Sequence, residues 1–361
     1  MEPVTHFLTG ACLGRAGFNR TTAYATLAMT LAAEAPDLDV FWSVAGPVAA
    51  FQHHRGWTHT LIGTPVVATV VVLAVFGFDR WRRGRSMNAE RDVPVRWGML
   101  WLCAWIAALS HILLDYTNNY GVRPFFPFNP RWYAGGTVFI FEPILFAALL
   151  LALVVPALLS LTDNEIGVRN SSSGDPSFRG RGWAIFALLV MVGLWGWRAL
   201  EQQSAKRMLL NDEASQDGGA AQVMRVSFSP YPVNPFLWQA VVETPDAFRV
   251  ATIDVRTGSV ISDPQTDLFH KPAETPATLA AKSSRLGRVY LDWSQFPLVQ
   301  EAGPGVTESG EAATIVSFRD LRFHYDSAFL GGRMKNALGA YAYVDSAGQV
   351  VQMQMGKRIQ H

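Results

Sequence analysis

The sequence predicts a membrane protein with about four transmembrane helices, preceded by short N-terminal helices and followed by a mainly β soluble domain. Half of the 361 residues are hydrophobic and only 16% are charged, against about 25% in ordinary soluble domains. Apolar runs of membrane length fill the chain before residue 200, whereas later segments alternate polar and apolar residues as strands do. A formal net charge of +1 gives no global attraction to nucleic acid, and two cysteines exclude a disulfide scaffold.

The predicted membrane domain, residues 1–200, contains four apolar runs. Each approaches the roughly 20 residues that a helix needs to cross about 30 Å of hydrocarbon. The four predicted helices are Leu61–Phe78, Trp97–Leu114, Thr137–Leu161 and Trp183–Leu200.

Arginines in two of the connecting loops predict the orientation of these helices. Asp79–Arg96 carries six arginines, and Thr162–Gly182 carries three. Because short cytoplasmic loops are rich in Lys and Arg, we expect both loops to be cytoplasmic. Asp115–Gly136 and everything after Leu200 are then outside, which predicts a multi-pass protein of the bacterial inner membrane with an outer C-terminal domain.

Two shorter helices are predicted before the first apolar run. His6–Phe18 and Thr22–Glu34 have helical periodicity, and Pro36 ends the second of them. Periodicity alone leaves open whether they are amphipathic surface helices or a hairpin that enters the membrane interface. No basic segment followed by an apolar one resembles a leader, so we expect no cleaved signal.

After a predicted linker at residues 201–222, which includes Asp217-Gly218-Gly219, residues 223–361 predict the outer β domain. Strand signals occur at Val223–Phe228, Trp238–Val242, Phe248–Val255 and Ala340–Asp345, and turn dipeptides such as Thr257-Gly258 follow several of them. The histidines of this domain are scattered without shared spacing. It is therefore predicted to be a binding or shielding module, for a partner that the sequence does not identify.

Potential metal ligands are concentrated in the membrane domain. Five of the eight histidines precede residue 112: His6, His53, His54, His59 and His111. Two carboxylates, Asp37 and Asp39, flank one residue after a predicted helix. His111 and Asp115 are four residues apart on a predicted helix, so both side chains lie on one face and can reach one ion.

The predicted topology brings these groups to one side of the membrane. His59 begins one helix and His111–Asp115 ends the next, both at the outer end. Four or more nitrogen and oxygen ligands suit zinc, with manganese or iron as alternatives. The candidates outnumber the ligands of a single tetrahedral ion, so the sequence leaves open whether one or two ions bind.

These motifs resemble a bacterial family of YdjM-like, membrane-bound, metal-dependent hydrolases. The resemblance covers about residues 1–200 and depends on the order and spacing of Thr5-His6, Pro36-Asp37-Leu38-Asp39, His54–His59 and His111–Asp115. It implies a ligand set that leaves out His53, because the family motif begins with the next residue. That set is His6, Asp37, Asp39, His54, His59, His111 and Asp115. The chain has Glu142-Pro143 where the family usually has Asp-Pro.

The expected function is hydrolysis of an ester or phosphodiester in a lipid or envelope substrate at the outer face. Metal-bound hydroxide would be the nucleophile, and Glu142, Asp37 or Asp39 the general base. Arg55 either neutralises a phosphate of the substrate or anchors the chain among membrane lipids. Arginines and aromatic residues of the outer loop predict a rim for a lipid headgroup: Arg123, Phe125, Phe126, Phe128, Arg131, Trp132 and Tyr133.

Two other functions remain open from the sequence. In the first, the metal is structural and the protein is a non-enzymatic envelope component whose β domain binds a partner. A structural zinc site is closed, whereas a catalytic one keeps an open position, so ligand count distinguishes this function from a hydrolase. A transporter is the third possibility, but four spans without a visible inverted repeat argue against it.

Overall fold

The computed structural model describes residues 1–85, 93–165, 180–215, 222–325 and 338–360. The chain packs as two compact units, the first made of Met1–Asp39 and Arg55–Ala199 and the second of Val40–His54 and Leu200–His361. Some predicted features lie at least partly outside the described residues: the two arginine-rich loops, the Asp217-Gly218-Gly219 linker and the terminal His361.

Helices make up most of the first unit and part of the second. In chain order they are α1 (Pro3–Ala16), α2 (Ala25–Glu34), α3 (Pro47–His53), α4 (Thr64–Arg85), α5 (Trp97–Thr117), α6 (Pro143–Glu165), α7 (Arg181–Ser215), α8 (Pro276–Ser283) and α9 (Arg285–Trp293). Short 3-10 helices occupy Ala35–Ala45 and Trp57–His59.

Three helices are long and apolar enough to cross a membrane: α4, α5 and α7 as far as Asp212. The apolar part of α6 is shorter and runs from Pro143 to Leu159. This helix begins later than the predicted run at Thr137, because proline is favoured at the first position of a helix and Pro143 occupies it. Among the described residues, length and composition thus support three of the four predicted spans.

Helices α1 and α2 form a closely packed antiparallel hairpin in the first unit. A Cβ atom on Gly10 would lie 2.5 Å from the Met29 carbonyl oxygen, and one on Gly14 would lie 2.5 Å from Cα of Thr26. Small residues spaced by four allow two helix backbones to approach this closely. The two segments are therefore core helices of the unit rather than surface helices.

Exposed or half-exposed arginines of the first unit lie together at one end of its helix bundle. At this end the Arg181 Nε donates to the Ala16 carbonyl at 2.9 Å, and the Tyr24 hydroxyl donates to Asp79 at 3.0 Å. The arginines of this basic end are Arg15, Arg20, Arg80, Arg82, Arg83, Arg85, Arg96 and Arg181. Helix α5 begins here and ends at the opposite end of the bundle with His111 and Asp115.

The second unit contains two antiparallel five-stranded sheets. The first has the order β1-β2-β3-β4, with β5 also paired to β3, and the second has the order β10-β9-β8-β7-β6. The strands are β1 (Arg225–Pro230), β2 (Leu237–Glu243), β3 (Ala247–Asp254), β4 (Ser259–Ile261), β5 (Leu268–His270), β6 (Pro297–Val306), β7 (Ala312–Asp320), β8 (Ala340–Val344), β9 (Val350–Met355) and β10 (Arg358–Gln360).

The prediction of a mainly β C-terminal region is confirmed, and every strand predicted there overlaps an observed one. The sequence analysis missed α8 and α9, although Leu286, Tyr290 and Trp293 of α9 are buried at helical spacing. Their signals are local: Thr275 forms a capping box with Thr278, and Ser284 caps the next helix by accepting from the Gly287 N–H.

The predicted linker over 201–222 is instead helical as far as Ser215. Within the second unit, Ala205 and Leu209 of α7 are buried in a core with Trp238, Ala240 and Ile253. Apolar packing therefore keeps the chain helical where composition indicated a change of domain.

Candidate metal centre

Four buried or half-buried side chains of the first unit converge at the end of the bundle opposite to the basic end. Asp37 lies in the 3-10 helix after α2, and His59 ends the 3-10 turn Trp57–His59. His111 and Asp115 lie one turn apart on α5. Each offers one ligand atom, and the four atoms all lie within 4.8 Å of one another.

The two imidazole nitrogens of the cluster lie close to each other and to both carboxylate oxygens. The Nε2 atoms of His59 and His111 are 3.0 Å apart. Asp37 Oδ1 lies 3.3 and 3.5 Å from these two nitrogens, and Asp115 Oδ2 lies 3.5 and 3.4 Å from them. Donors bound tetrahedrally at zinc distances of about 2.0–2.1 Å would be about 3.3–3.4 Å apart. These five separations therefore match those of donors around one zinc ion, while the two carboxylate oxygens lie within 4.8 Å of each other.

Second hydrogen-bond partners orient both imidazoles. His111 Nδ1 lies 2.7 Å from the Ala33 carbonyl oxygen, which can only accept, so this nitrogen carries the proton. His59 Nδ1 lies 3.1 Å from the Thr58 hydroxyl and 3.5 Å from Asp39 Oδ2. The Nε2 lone pair of His111 is thereby directed into the cluster, and His59 Nδ1 has partners that can accept its proton when Nε2 binds a metal.

The two carboxylate oxygens of Asp115 have different surroundings. Oδ1 accepts from Arg55 Nη2 at 2.7 Å and from the Met1 amino group. Oδ2 is buried and accepts no hydrogen bond, although it faces the two imidazole nitrogens. A buried acceptor without a donor is costly. A cation at the centre of the cluster would satisfy this oxygen, so the residues present fit a divalent metal.

The electrostatics of the cluster favour the protonation states that bind metal. Burial lowers the pKa of His59 to about 4, so its imidazole is neutral at pH 7. Burial by itself raises the pKa of Asp37, but the hydrogen bond with His59 and the neighbouring histidines outweigh it, and the net pKa is below its usual range. A neutral imidazole and an ionised carboxylate are the forms that coordinate a cation.

His6 lies beside the four converging donors rather than among them. Its ring stacks on His111 with centroids 3.7 Å apart, and its Nε2 is 3.4 Å from Asp115 Oδ1. Its Nδ1 is buried without a hydrogen-bond partner. His6 is thus placed to support His111 and Asp115.

Asp39, His54 and Glu142 are not part of the four-donor group found among the described residues. Asp39 is behind His59, where it accepts from the Arg55 backbone N–H at 2.7 Å. His54 follows α3 and belongs to the second unit. Glu142 is buried just before α6, and its charge interacts with that of Arg198. Their positions in the sequence alone do not distinguish these three residues from the four that converge.

Arg55 is buried and its guanidinium is directed to the protein. Besides Asp115, it donates to the Gly121 carbonyl at 2.6 Å and to Asn118 Oδ1 at 3.3 Å, and it stacks on the Tyr120 ring at 4.6 Å. A lipid anchor requires an exposed head, which Arg55 does not have. In the structure Arg55 holds Asp115.

Several residues that the sequence analysis did not select also surround the cluster. Asn118 and Tyr120 follow the His111–Asp115 motif directly and contact Arg55. Glu34 ends α2, and burial together with the charge of Asp37 raises its pKa to about 7. Only the closeness to recognised motifs could have identified Asn118, Tyr120 and Glu34 from the sequence. Polar residues near helix ends are too common for that closeness to indicate a functional site.

Comparison with known proteins places this cluster in a family context. The family model described as YdjM inner membrane protein matches residues 1–205, a range that contains every residue of the first unit. The uncharacterized protein YfhP of Bacillus subtilis (strain 168) is 24% identical over 284 residues, which cover 75% of this chain and 75% of YfhP. No solved structure matches the chain.

Proposed function

The chain belongs to the YdjM inner membrane protein family, and on that premise we propose that it is a membrane-bound, metal-dependent hydrolase. The observation that carries the proposal is the convergence of Asp37, His59, His111 and Asp115, with a buried carboxylate oxygen that has no donor among them. Zinc fits the mixed nitrogen and oxygen donors and their spacing. When bound, such an ion lowers the pKa of a water molecule toward about 7 and so supplies a nucleophile at neutral pH.

The exposure of the donors indicates how a substrate would reach the site. The side chains of His59, His111 and Asp115 are completely buried, whereas that of Asp37 is 16% exposed. Three buried ligands with one accessible position is the arrangement of catalytic zinc sites. We therefore assign metal binding to the three buried residues and the role of general base to Asp37, which is at the accessible side.

The neighbouring residues orient the side chains of the four clustered residues. Ala33 holds the His111 ring through its carbonyl, and Asp39 and Thr58 hold the His59 ring. Arg55 orients Asp115 so that only one of its oxygens is directed into the cluster. Such outer partners fix the tautomer and direction of a ligand.

An aromatic loop beside the cluster supports a lipid substrate. Trp57, two residues before His59, is 57% exposed and packs edge-on against Phe126 with centroids 5.3 Å apart. Phe128 is 84% exposed, and Arg131 is exposed beside the Tyr133 ring. Exposed aromatic and basic residues are typical of the level of lipid headgroups. Arg123 is buried between two rings and does not contribute to this rim.

The proposed topology predicts that the C-terminus is outside the cytoplasmic membrane. The basic end of the bundle should be cytoplasmic by the positive-inside rule, and α7 begins at that end with Arg181. Alkaline phosphatase fused after His361 should be active, and the same enzyme fused after Arg85 should be inactive. An inactive fusion at His361, together with an active cytoplasmic reporter there, would show the opposite orientation.

Metal-dependent hydrolysis is the direct test of the proposed activity. Purified protein should hydrolyse generic phosphodiester or phospholipid substrates, and a chelator should reduce the rate by at least about 10³-fold because the nucleophile depends on the ion. Added zinc should restore the rate. His59→Ala should be inactive with and without added zinc. Activity that resists the chelator would exclude this mechanism.

A structural metal is the second candidate function, and the convergence of four protein donors favours it. If Asp37 also binds the ion, the four protein donors leave no open position. The protein would then be a non-enzymatic envelope component whose β domain binds a partner. The Asp37 variant described in the Discussion separates the two functions.

A further inference from the structure

A short stretch with four exposed apolar side chains follows the metal-centre residues at the end of α2. Val40, Phe41, Trp42 and Val44 lie in the second half of the 3-10 helix Ala35–Ala45, where Phe41 is 69% exposed and Val44 is 90% exposed. Elsewhere in the described part of the second unit, exposed large apolar side chains occur singly or in pairs. Such a concentration of exposed apolar surface marks a site of interaction.

The exposed stretch belongs to a segment, Val40–His54, whose other apolar side chains are packed. Val48 and Ala49 of α3 are buried. The Trp42 ring stacks on His53 with centroids 4.0 Å apart, so its orientation is fixed within the segment itself. The apolar residues of the segment are thus divided: those of α3 pack inside the second unit, and those of the 3-10 helix remain exposed.

The composition of the exposed stretch suits a membrane interface. No Asp, Glu, Lys or Arg occurs between Asp39 and Arg55, so no charged side chain opposes contact with lipid there. Tryptophan is enriched at the level of the lipid headgroups, and Trp and Phe are typical of the apolar face of helices that lie in the interface. A bilayer surface is therefore the partner that fits these side chains.

Chain connectivity keeps the exposed stretch near the membrane boundary. Asp39 and Arg55 belong to the first unit, and the Arg55 N–H donates to Asp39 Oδ2 at 2.7 Å, so both ends of the segment are held there. At no more than about 3.6 Å per residue, Val44 lies within about 18 Å of Asp39. Helix α5, which is long and apolar enough to cross a membrane, ends just after Asp115. The exposed stretch therefore lies close to the level at which the lipid-facing surface of this helix ends.

We propose that Val40, Phe41, Trp42 and Val44 form a membrane anchor, which inserts into the headgroup region of the leaflet next to the metal centre. The anchor lies in the interface without spanning the bilayer. It gives the sheet-containing unit a contact with the membrane in addition to its connection through α7. The inference does not depend on the proposed hydrolysis, since it requires only that α4 and α5 cross the membrane.

Fluorescence quenching by lipids tests the proposed anchor in the full-length protein, reconstituted into phosphatidylcholine and phosphatidylglycerol nanodiscs. Val44→Cys is labelled with a thiol-reactive NBD fluorophore. The native Cys12 and Cys103 are buried, and wild type treated in the same way gives the background. Phosphatidylcholine with a nitroxide near its headgroup should quench the label about twofold, because side chains of an interfacial anchor lie at the boundary of headgroups and acyl chains.

Ala347→Cys is the control for the position of the label, since Ala347 is exposed in the turn after β8 of the same unit. The same nitroxide lipid should leave this label almost unquenched. Equal quenching at the two positions would overturn the inference, because the contact with lipid would then not be specific to the exposed stretch. An unquenched label at position 44 would also overturn it, and cross-linking of Val44→Cys between two copies would then assign the stretch to self-association.

A charge introduced beside the label tests whether the apolar side chains cause the insertion. Phe41→Asp, combined with Val44→Cys, should lose at least about half of the quenching, because a carboxylate on the apolar face opposes entry into lipid. Phe41 is exposed, so the folded state should tolerate the change. Ile261→Asp makes a similar change at an exposed apolar residue of β4 and should leave the quenching as it is. Full quenching in the Phe41→Asp protein, or an equal loss in Ile261→Asp, would contradict the proposed anchor.

Discussion

Replacing His111 with alanine is expected to remove the bound metal almost completely. The wild-type protein, purified in detergent without chelator, should contain about one zinc ion per chain, because the described residues form one group of four donors. The variant keeps only three of the four donors and leaves a polar, buried space of the wrong shape for the ion. Elemental analysis should therefore find less than about a tenth of the wild-type zinc.

His270→Ala is the control for this experiment, since His270 is an exposed histidine on β5. It should retain wild-type zinc content. A His111→Ala protein with stoichiometric zinc would show that the ion is bound elsewhere. Wild-type protein without zinc, manganese or iron would contradict the metal centre.

Replacing Asp37 with asparagine is expected to separate catalysis from metal binding. If Asp37 is the general base, the variant should keep its zinc and lose about 10²–10⁴-fold in hydrolytic rate, the range that a positioned base contributes. The amide cannot accept the proton, but it has nearly the same shape as the carboxylate. Zinc content and initial rates should be measured on the same preparation.

Asp115→Asn is the matched comparison, because it makes the same chemical change at a completely buried donor. We expect it to lose both zinc and activity. If Asp37→Asn loses zinc as completely as Asp115→Asn does, Asp37 is a fourth ligand. That result would favour a closed, structural site and the non-enzymatic alternative.

Parts of the cluster could be predicted because they depend on local periodicity. His111 and Asp115 are four residues apart on a helix whose apolar length identified it, so their shared face follows from helix geometry. His59 precedes the first apolar run and Asp37 follows a helix end. Both were therefore candidate ligands at the membrane boundary where His111 and Asp115 lie. The family motif also included His6, which the structure places beside the four donors. These inferences need no knowledge of how distant segments pack.

Other roles could not be predicted because they depend on contacts between distant segments. Asp37 and Asp39 are equivalent in the sequence, yet the structure places Asp37 against both imidazole Nε2 atoms and Asp39 behind His59. The distinction arises from the turn of the 3-10 helix and from the Arg55 N–H that holds Asp39. The buried direction of Arg55 likewise requires Asp115, from a helix that begins about 40 residues later.

The sequence by itself determined the membrane character of the first part of the chain, the β character of the second and the kinds of ligand available, because composition and short-range period act within one segment. Tertiary structure alone decided that α1 and α2 are core helices, since this depends on glycines of one helix facing backbone atoms of the other. It alone decided that Val40–His54 belongs with the sheets. The physical reason is that burial energy depends on which surfaces meet, and residues far apart in the chain supply those surfaces.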